Sequence, residues 1–434
     1  MKKYKIIILV CIFTLLGIFI GRVTNKNNVY KENENNQMKK QVNTISMMLE
    51  TDAGSGNYEM TTRDSWPTEG YVFNSTLSKC ENGGELSWDD TNKKVLMSGN
   101  ISDKCYVYFD IETKVFLADY VKSLYTGTQG DNNIYYHDSS LENGAGDNSY
   151  RYAGSSETTN NYVCFGSDAD TCPEDNLYRI IGVFDGKVKL IKSTGTTNTL
   201  LGTDETYTSN SRSYAWTDLD SCPSTTAYKF DNNVVVLSNK NILGAVPDGG
   251  KSGCNMWKYS NLNSVNLNTN FITNLGIKWA ALVDNATWKV SGYSTANVTA
   301  KTMYTAEITN ATKTYGPSDG TSKIGLMYAS DYGFAASPSA WTTLLSSYND
   351  SSIKSTNWIY NAGMEWTMTP YSSDSYSVFI LSYVSTVSNT GNLGTWSSLG
   401  AAAGFGTRPA MYLNASVVYT RGSGTASDPI RIEI

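Results

Sequence analysis

The chain has 434 residues, a formal net charge of −6, and 17% charged residues against the ~25% usual in soluble domains. That length allows two or three domains with cores of their own, and the acidic balance excludes a surface built to neutralise nucleic-acid phosphates. A single histidine, His137, excludes Ser-His-Asp and Cys-His catalysis and imidazole-rich zinc sites.

Residues 1–24 read as an uncleaved signal anchor. Lys2, Lys3 and Lys5 precede an uncharged apolar run from Ile6 to Gly21. As a helix that run rises about 24 Å, slightly short of the ~30 Å hydrocarbon core of a bilayer; a cleaved signal is the alternative, but no Ala-x-Ala-like cleavage site follows the run. The basic start places Met1 inside and the rest outside, which predicts a single-pass protein of the cell membrane with its bulk extracellular. Residues 25–40, rich in Asn, Lys and Glu, read as a polar stalk.

Residues 41–113 read as a small all-β module. The clearest hairpin joins Glu85-Leu86-Ser87-Trp88 to Lys94-Val95-Leu96-Met97-Ser98 through Asp89-Asp90-Thr91-Asn92. Cys11 lies in the apolar run, and the other six cysteines fall into local pairs: Cys80 with Cys105, Cys164 with Cys172, Cys222 with Cys254. Nearest-neighbour pairing is the reading taken, other connectivities staying open; an even number beyond an export segment points to an oxidising compartment. A Cys80–Cys105 bridge would staple a module too small to bury much core.

Residues 114–160 read as a connecting helix, Leu117 to Leu124, followed by loops in which His137 is a surface hairpin residue. Residues 161–434 read as the main domain. The loop between Cys164 and Cys172 carries Asp168 and Asp170, weak candidates for calcium without the ligand series of an EF-hand. No other cofactor is expected. Leu177–Phe184 and Lys187–Lys192 form a hairpin across Asp185-Gly186. Lys187, Lys189 and Lys192 mark one face of it as wet. Asn268–Val283 has an apolar stripe at helical spacing, Lys301–Ile308 is a shorter helix, and Lys323–Ser330 reads as a buried strand. At the C-terminus, Ser416–Tyr419 pairs with Ile430–Ile432.

The stretch Met364–Leu413 runs from Glu365 and Trp366 through a polar loop to Gly404-Phe405-Gly406-Thr407-Arg408-Pro409-Ala410-Met411-Tyr412-Leu413. Trp366 reads as core, and Arg408 as a structural charge paired with Glu365. Tyr371, Tyr376, Tyr383, Asn389, Asn392 and Trp396, in or beside polar turns, are the candidate ligand-contacting residues, since aromatic rings beside amides give both contact area and hydrogen bonds.

Glu365, Trp366, Gly406, Arg408, Pro409 and Leu413, with the Tyr178–Lys192 hairpin, resemble the C-type-lectin-like domains of the formylglycine-generating-enzyme type found in anchored bacterial surface proteins, as in gut Bacilli and Mollicutes-like genomes. The resemblance implies an α+β fold: a C-type-lectin-like main domain preceded by a small all-β module and an N-terminal transmembrane helix. The enzyme branch of that family uses a cysteine pair in its C-terminal part, and no cysteine follows Cys254 here, so catalysis is not implied. What is implied is an adhesion or recognition protein, not an enzyme, whose partner is a glycan or protein on another cell or host surface. Two alternatives stand beside it. One is a retroelement-diversified binding protein varying between Tyr371 and Leu399. The other is a cell-envelope protein, structural or a carboxylate-dependent hydrolase, the hydrolase needing two converging carboxylates.

Overall fold

In the computed structural model of the chain, the described residues are 44–99, 103–203, 257, 260–310, 320–371, 378–381, 391–395 and 404–433, with strands at 207–208, 213–215, 225–230 and 233–238. The chain divides into two compact units, Met1–Lys114 and Val115–Ile434.

In the first unit, strands β1 (Thr44–Glu50), β2 (Tyr58–Met60), β3 (Tyr71–Phe73), β4 (Lys79–Cys80) and β7 (Lys104–Ile111) make one sheet, with β1 parallel to β7. A separate hairpin, β5 (Glu85–Asp89) and β6 (Lys94–Ser98), supplies Trp88 to the core. That core is small: Met47, Val107 and Phe109, with Trp66, Phe73, Leu86 and Trp88 packed around them. Apolar residues alternate along β7 because only one face of the sheet is covered. Cys80 and Cys105, directly opposite each other on β4 and β7, are joined by a disulfide.

In the second unit, β8 (Val115–Phe116) leads into the helix Leu117–Ser123. The main sheet holds β9 (Ile134–His137), β10 (Ser149–Tyr152), β11 (Tyr162–Cys164), β12 (Leu177–Phe184) and β13 (Lys187–Lys192). The order from one edge is Ile324–Gly325, Ala410–Tyr412, β13, β12, β10, β9, with β11 also on β12. Asp185 and Gly186 both have positive φ, 47° and 76°, as a type I′ hairpin turn requires. The register shifts between Ile180 and Gly182. A Cβ at Gly182 would lie 2.2 Å from the Tyr150 carbonyl oxygen, so only glycine lets β10 approach β12 there.

Several expectations are corrected. Both faces of β12 and β13 are covered, and Lys189 and Lys192 are buried, so the expected wet face does not exist. The stretch read as one helix begins earlier and breaks: a π-helical turn Leu262–Phe271 runs into Ile272–Leu275, Gly276 takes φ 85°, and Ile277–Leu282 restarts the helix. Lys323–Ser330 yields only the short strand Ile324–Gly325 before a helix at Ala329–Ala335. His137 is fully buried against Phe334 and Trp341, its Nδ1 accepting the Ala145 N–H at 3.0 Å.

The expected fold class included a transmembrane helix. Among the described residues no helix is long and apolar enough to cross a membrane. Even the contiguous helical run Leu262–Leu275 would rise roughly 21 Å against a ~30 Å hydrocarbon core. The single-pass anchor is therefore withdrawn, together with the membrane partner and the cell-membrane localisation that rested on it. The segment 1–24 lies outside the described residues.

Candidate functional site

A cavity of about 300 Å³ opens beside the main sheet of the second unit. β10 and the turn before it supply Asp147, Ser149 and Arg151; the β12–β13 hairpin supplies Phe184, Asp185 and Lys189. Tyr304 comes from the helix Ala300–Tyr304, Tyr328, Ser330 and Asp331 from the start of the helix Ala329–Ala335, and Tyr412 from the neighbouring strand.

Four charged side chains alternate in sign along its floor. Asp147 Oδ2 accepts from Arg151 Nη2 at 2.6 Å and from the Tyr304 hydroxyl at 2.8 Å. Arg151 Nη1 lies 3.6 Å from Asp331 Oδ1, and Lys189 Nζ donates to Asp331 Oδ2 at 2.6 Å. Arg151, Lys189 and Asp331 are at most 3% exposed. Burying charges so fully is tolerated only because each faces an opposite one and aromatic rings cover the rest. The guanidinium of Arg151 lies 4.7 Å from the Phe184 ring centre and 5.0 Å from that of Phe334. Lys189 Nζ lies 4.4 Å from the ring centre of Tyr328 and 5.4 Å from that of Trp288. Trp288 can sit there because Gly325 has no Cβ; one would come within 2.6 Å of the indole.

This environment moves the ionisations. Burial lowers the Lys189 ammonium below the ordinary lysine range, against the pull of Asp331. Burial alone would raise the Asp147 carboxyl, but Arg151, then hydrogen bonds from Ser149 and Tyr304, hold it well below the usual carboxylate range. Behind the cavity wall, Glu307 accepts the Ser330 N–H at 3.3 Å and the Thr369 hydroxyl, and burial pushes its carboxyl up to about 8.

The residues expected to contact a ligand do not make this site. Tyr376, Tyr383, Asn389 and Trp396 lie outside the described residues. Tyr371 and Asn392 are half-buried and do not line the cavity. Arg408 Nε donates to Glu365 Oε2 at 2.7 Å, both nearly fully buried, and Trp366 packs edge-on to Phe405. Asp168 is exposed, with both oxygens 2.6 Å from Lys278 Nζ, and Asp170 is exposed with its carbonyl accepting from Arg431. Cys164 and Cys172 are joined; Cys222 and Cys254 lie outside the described residues.

The expectation of no enzymatic chemistry is also withdrawn. Ligating atoms of Cys80, Asp103 and Cys105 lie within 4.8 Å of one another, close enough to hold a metal ion. In the disulfide the two sulfurs are neutral and bonded to each other, so this group becomes a donor set only on reduction. The cavity, separately, holds an amine and a carboxylate 2.6 Å apart out of bulk water, the elements of acid–base catalysis.

Sequence reasoning does not single out the residues of the cavity. Lys189 reads as solvent-facing, and Asp147, Arg151 and Asp331 carry no motif. The available signal is compositional: in a chain poor in charge, Arg151 sits between Tyr150 and Tyr152 in mid-strand.

No family model, no curated protein and no solved structure matches the chain. The likeness to C-type-lectin-like domains thus rests on its short motifs alone. A membrane-anchored lectin-like recognition protein with a cell-surface partner is withdrawn as the function, since the described residues contain no membrane-spanning helix to anchor it.

Proposed function

We propose that the second unit is a small-molecule-binding domain whose site is the cavity over Arg151, Asp331 and Lys189. The observation that carries this reading is the buried chain Asp147–Arg151–Asp331–Lys189 lying open along a cavity wall. A purely structural ion network gains nothing from a cavity beside it, whereas convergent polar groups on aromatic walls are how small-ligand sites are built. The volume, about 300 Å³, is at the small end for such sites, so the ligand is the size of an amino acid, a monosaccharide or a compact ring acid.

The test is a thermal-shift panel on the full chain with amino acids, monosaccharides, nucleosides, and short-chain and aromatic acids, followed by calorimetry on each hit. A hit that persists in Lys93→Met, in the first unit, and is lost in Thr287→Trp plus Ile308→Trp, which fill the cavity, supports it. If no member of the panel binds, or every hit survives the cavity substitutions, the reading fails. A second reading, an acid–base enzyme, is favoured by the Lys189–Asp331 contact; turnover of a bound ligand by the wild type and not by a Lys189→Met protein shown to be folded and to bind that ligand would select it.

A further inference from the structure

We infer that the cavity takes a small organic monoanion, a carboxylate, held by Lys189, Ser330 and the Nη1 edge of Arg151. This rests on the reading of the cavity as a ligand site and goes on to the class of molecule it accepts.

The donors on the cavity wall are under-used. Lys189 has three N–H bonds and gives one, to Asp331. Arg151 donates Nε to Ser149 Oγ and Nη2 to Asp147, while Nη1 stands 3.6 Å from Asp331, beyond hydrogen-bond length. The buried hydroxyl of Ser330 makes no hydrogen bond of regular geometry, although it lies close enough to the Glu307 carboxyl to favour its ionised form. Three donor groups thus converge with capacity to spare, and a buried donor left unsatisfied is costly.

The acceptors are mostly spent. Asp147 Oδ1 takes the N–H and the hydroxyl of Ser149, and Oδ2 takes Arg151 and Tyr304. Asp331 Oδ2 takes Lys189 and the Tyr328 N–H, which leaves Oδ1, 3.6 Å from Arg151 Nη1, as the open acceptor of that pair. The aromatic faces that would attract a ligand cation already hold the chain's own cations, Arg151 on Phe184 and Lys189 on Tyr328. A cationic ligand would have to displace one of them.

The charge count limits the anion. The lining holds Arg151, Lys189 and Lys289 against Asp147, Asp185 and Asp331, three of each sign. A neutral cavity with spare donors suits a single negative charge, with hydrogen bonds as its main reward; a phosphate dianion would need excess positive charge.

The experiment is calorimetric titration of the full chain with probes that share one ring and differ in headgroup: benzoate, benzamide, benzylammonium and phenyl phosphate, with lactate as a compact second carboxylate. Benzoate or lactate is expected to bind at least tenfold tighter than any neutral, cationic or dianionic probe. Ser330→Ala, which leaves Lys189, Arg151 and their ion pairs in place, is expected to weaken the carboxylate three- to tenfold while circular dichroism shows the fold kept. Equal or tighter binding of benzamide, benzylammonium or phenyl phosphate overturns the inference, as does a carboxylate affinity indifferent to Ser330→Ala. Either result leaves the cavity reading standing if some molecule of the wider panel binds there. Failure of the entire panel removes that reading instead.

Discussion

Lys189 and Asp331 lie 142 positions apart in sequence and meet at 2.6 Å with almost no exposure. Neither charge would be tolerated there alone. Removing one partner of a buried pair strands the other and costs about 3–5 kcal/mol. Lys189→Met is therefore expected to destabilise the second unit by that order. The double variant Lys189→Met/Asp331→Asn should recover part of the loss, because the amide that replaces the carboxylate keeps an acceptor for the Tyr328 N–H. Chemical denaturation of the two singles and the double closes the cycle, and simple additivity would argue against coupling.

Glu307 sets a pH dependence of stability. Burial raises its carboxyl from an ordinary 4.5 to about 8 in the folded protein. The unfolded chain therefore releases this proton first as pH rises. Stability from this group is full below pH 4.5, declines through the interval and levels off above about pH 8. His137 works in the opposite sense: burial lowers its imidazole well below 6.5, so its contribution is present above pH 6.5 and is lost as pH falls. Between pH 6.5 and 8 only the glutamate of this pair acts, and it should cost roughly 2 kcal/mol over that span. Glu307→Gln should flatten the melting temperature across that window, and a wild-type curve already flat there would refute the assignment.

Gly182 is where β10 and β12 approach too closely for a side chain, with a Cβ only 2.2 Å from the Tyr150 carbonyl. Gly182→Ala should push β10 away and destabilise the unit by on the order of 3 kcal/mol. Because Arg151 pairs with Gly182 across those strands, ligand affinity should fall along with stability. A gain in melting temperature would contradict the packing.

The Cys80–Cys105 bridge closes a span of 25 residues in the first unit. Cys80→Ser plus Cys105→Ser should lower that unit's stability by roughly 3 kcal/mol through loop-closure entropy. The cavity belongs to the second unit, so ligand binding there should be unchanged. A calorimetric scan that separates two transitions, with only one displaced, is the expected record.

Local features are legible where local chemistry decides them. Asp185-Gly186 between two apolar runs marks the main hairpin, because few residue pairs adopt two successive positive φ angles. The alternation in β7 and the pairing of β5 with β6 follow from side-chain period and turn residues. The expectation of one long helix fails where Gly276 breaks it, since an apolar stripe does not report a left-handed residue.

The cavity depends on distant parts of the chain. Lys189 reads as a solvent-facing lysine until Asp331, Trp288, Tyr328 and Tyr412 are brought over it. The covering of both faces of β13 is a property of the packed unit, and it turns a surface charge into a buried one. Composition, turn chemistry and hydrophobic period thus establish strands and hairpins from sequence, because their energies are local. Which charges are desolvated, which find partners and where a cavity remains between them are decided only by tertiary structure, because burial and Coulomb energy depend on neighbours that sequence order does not reveal.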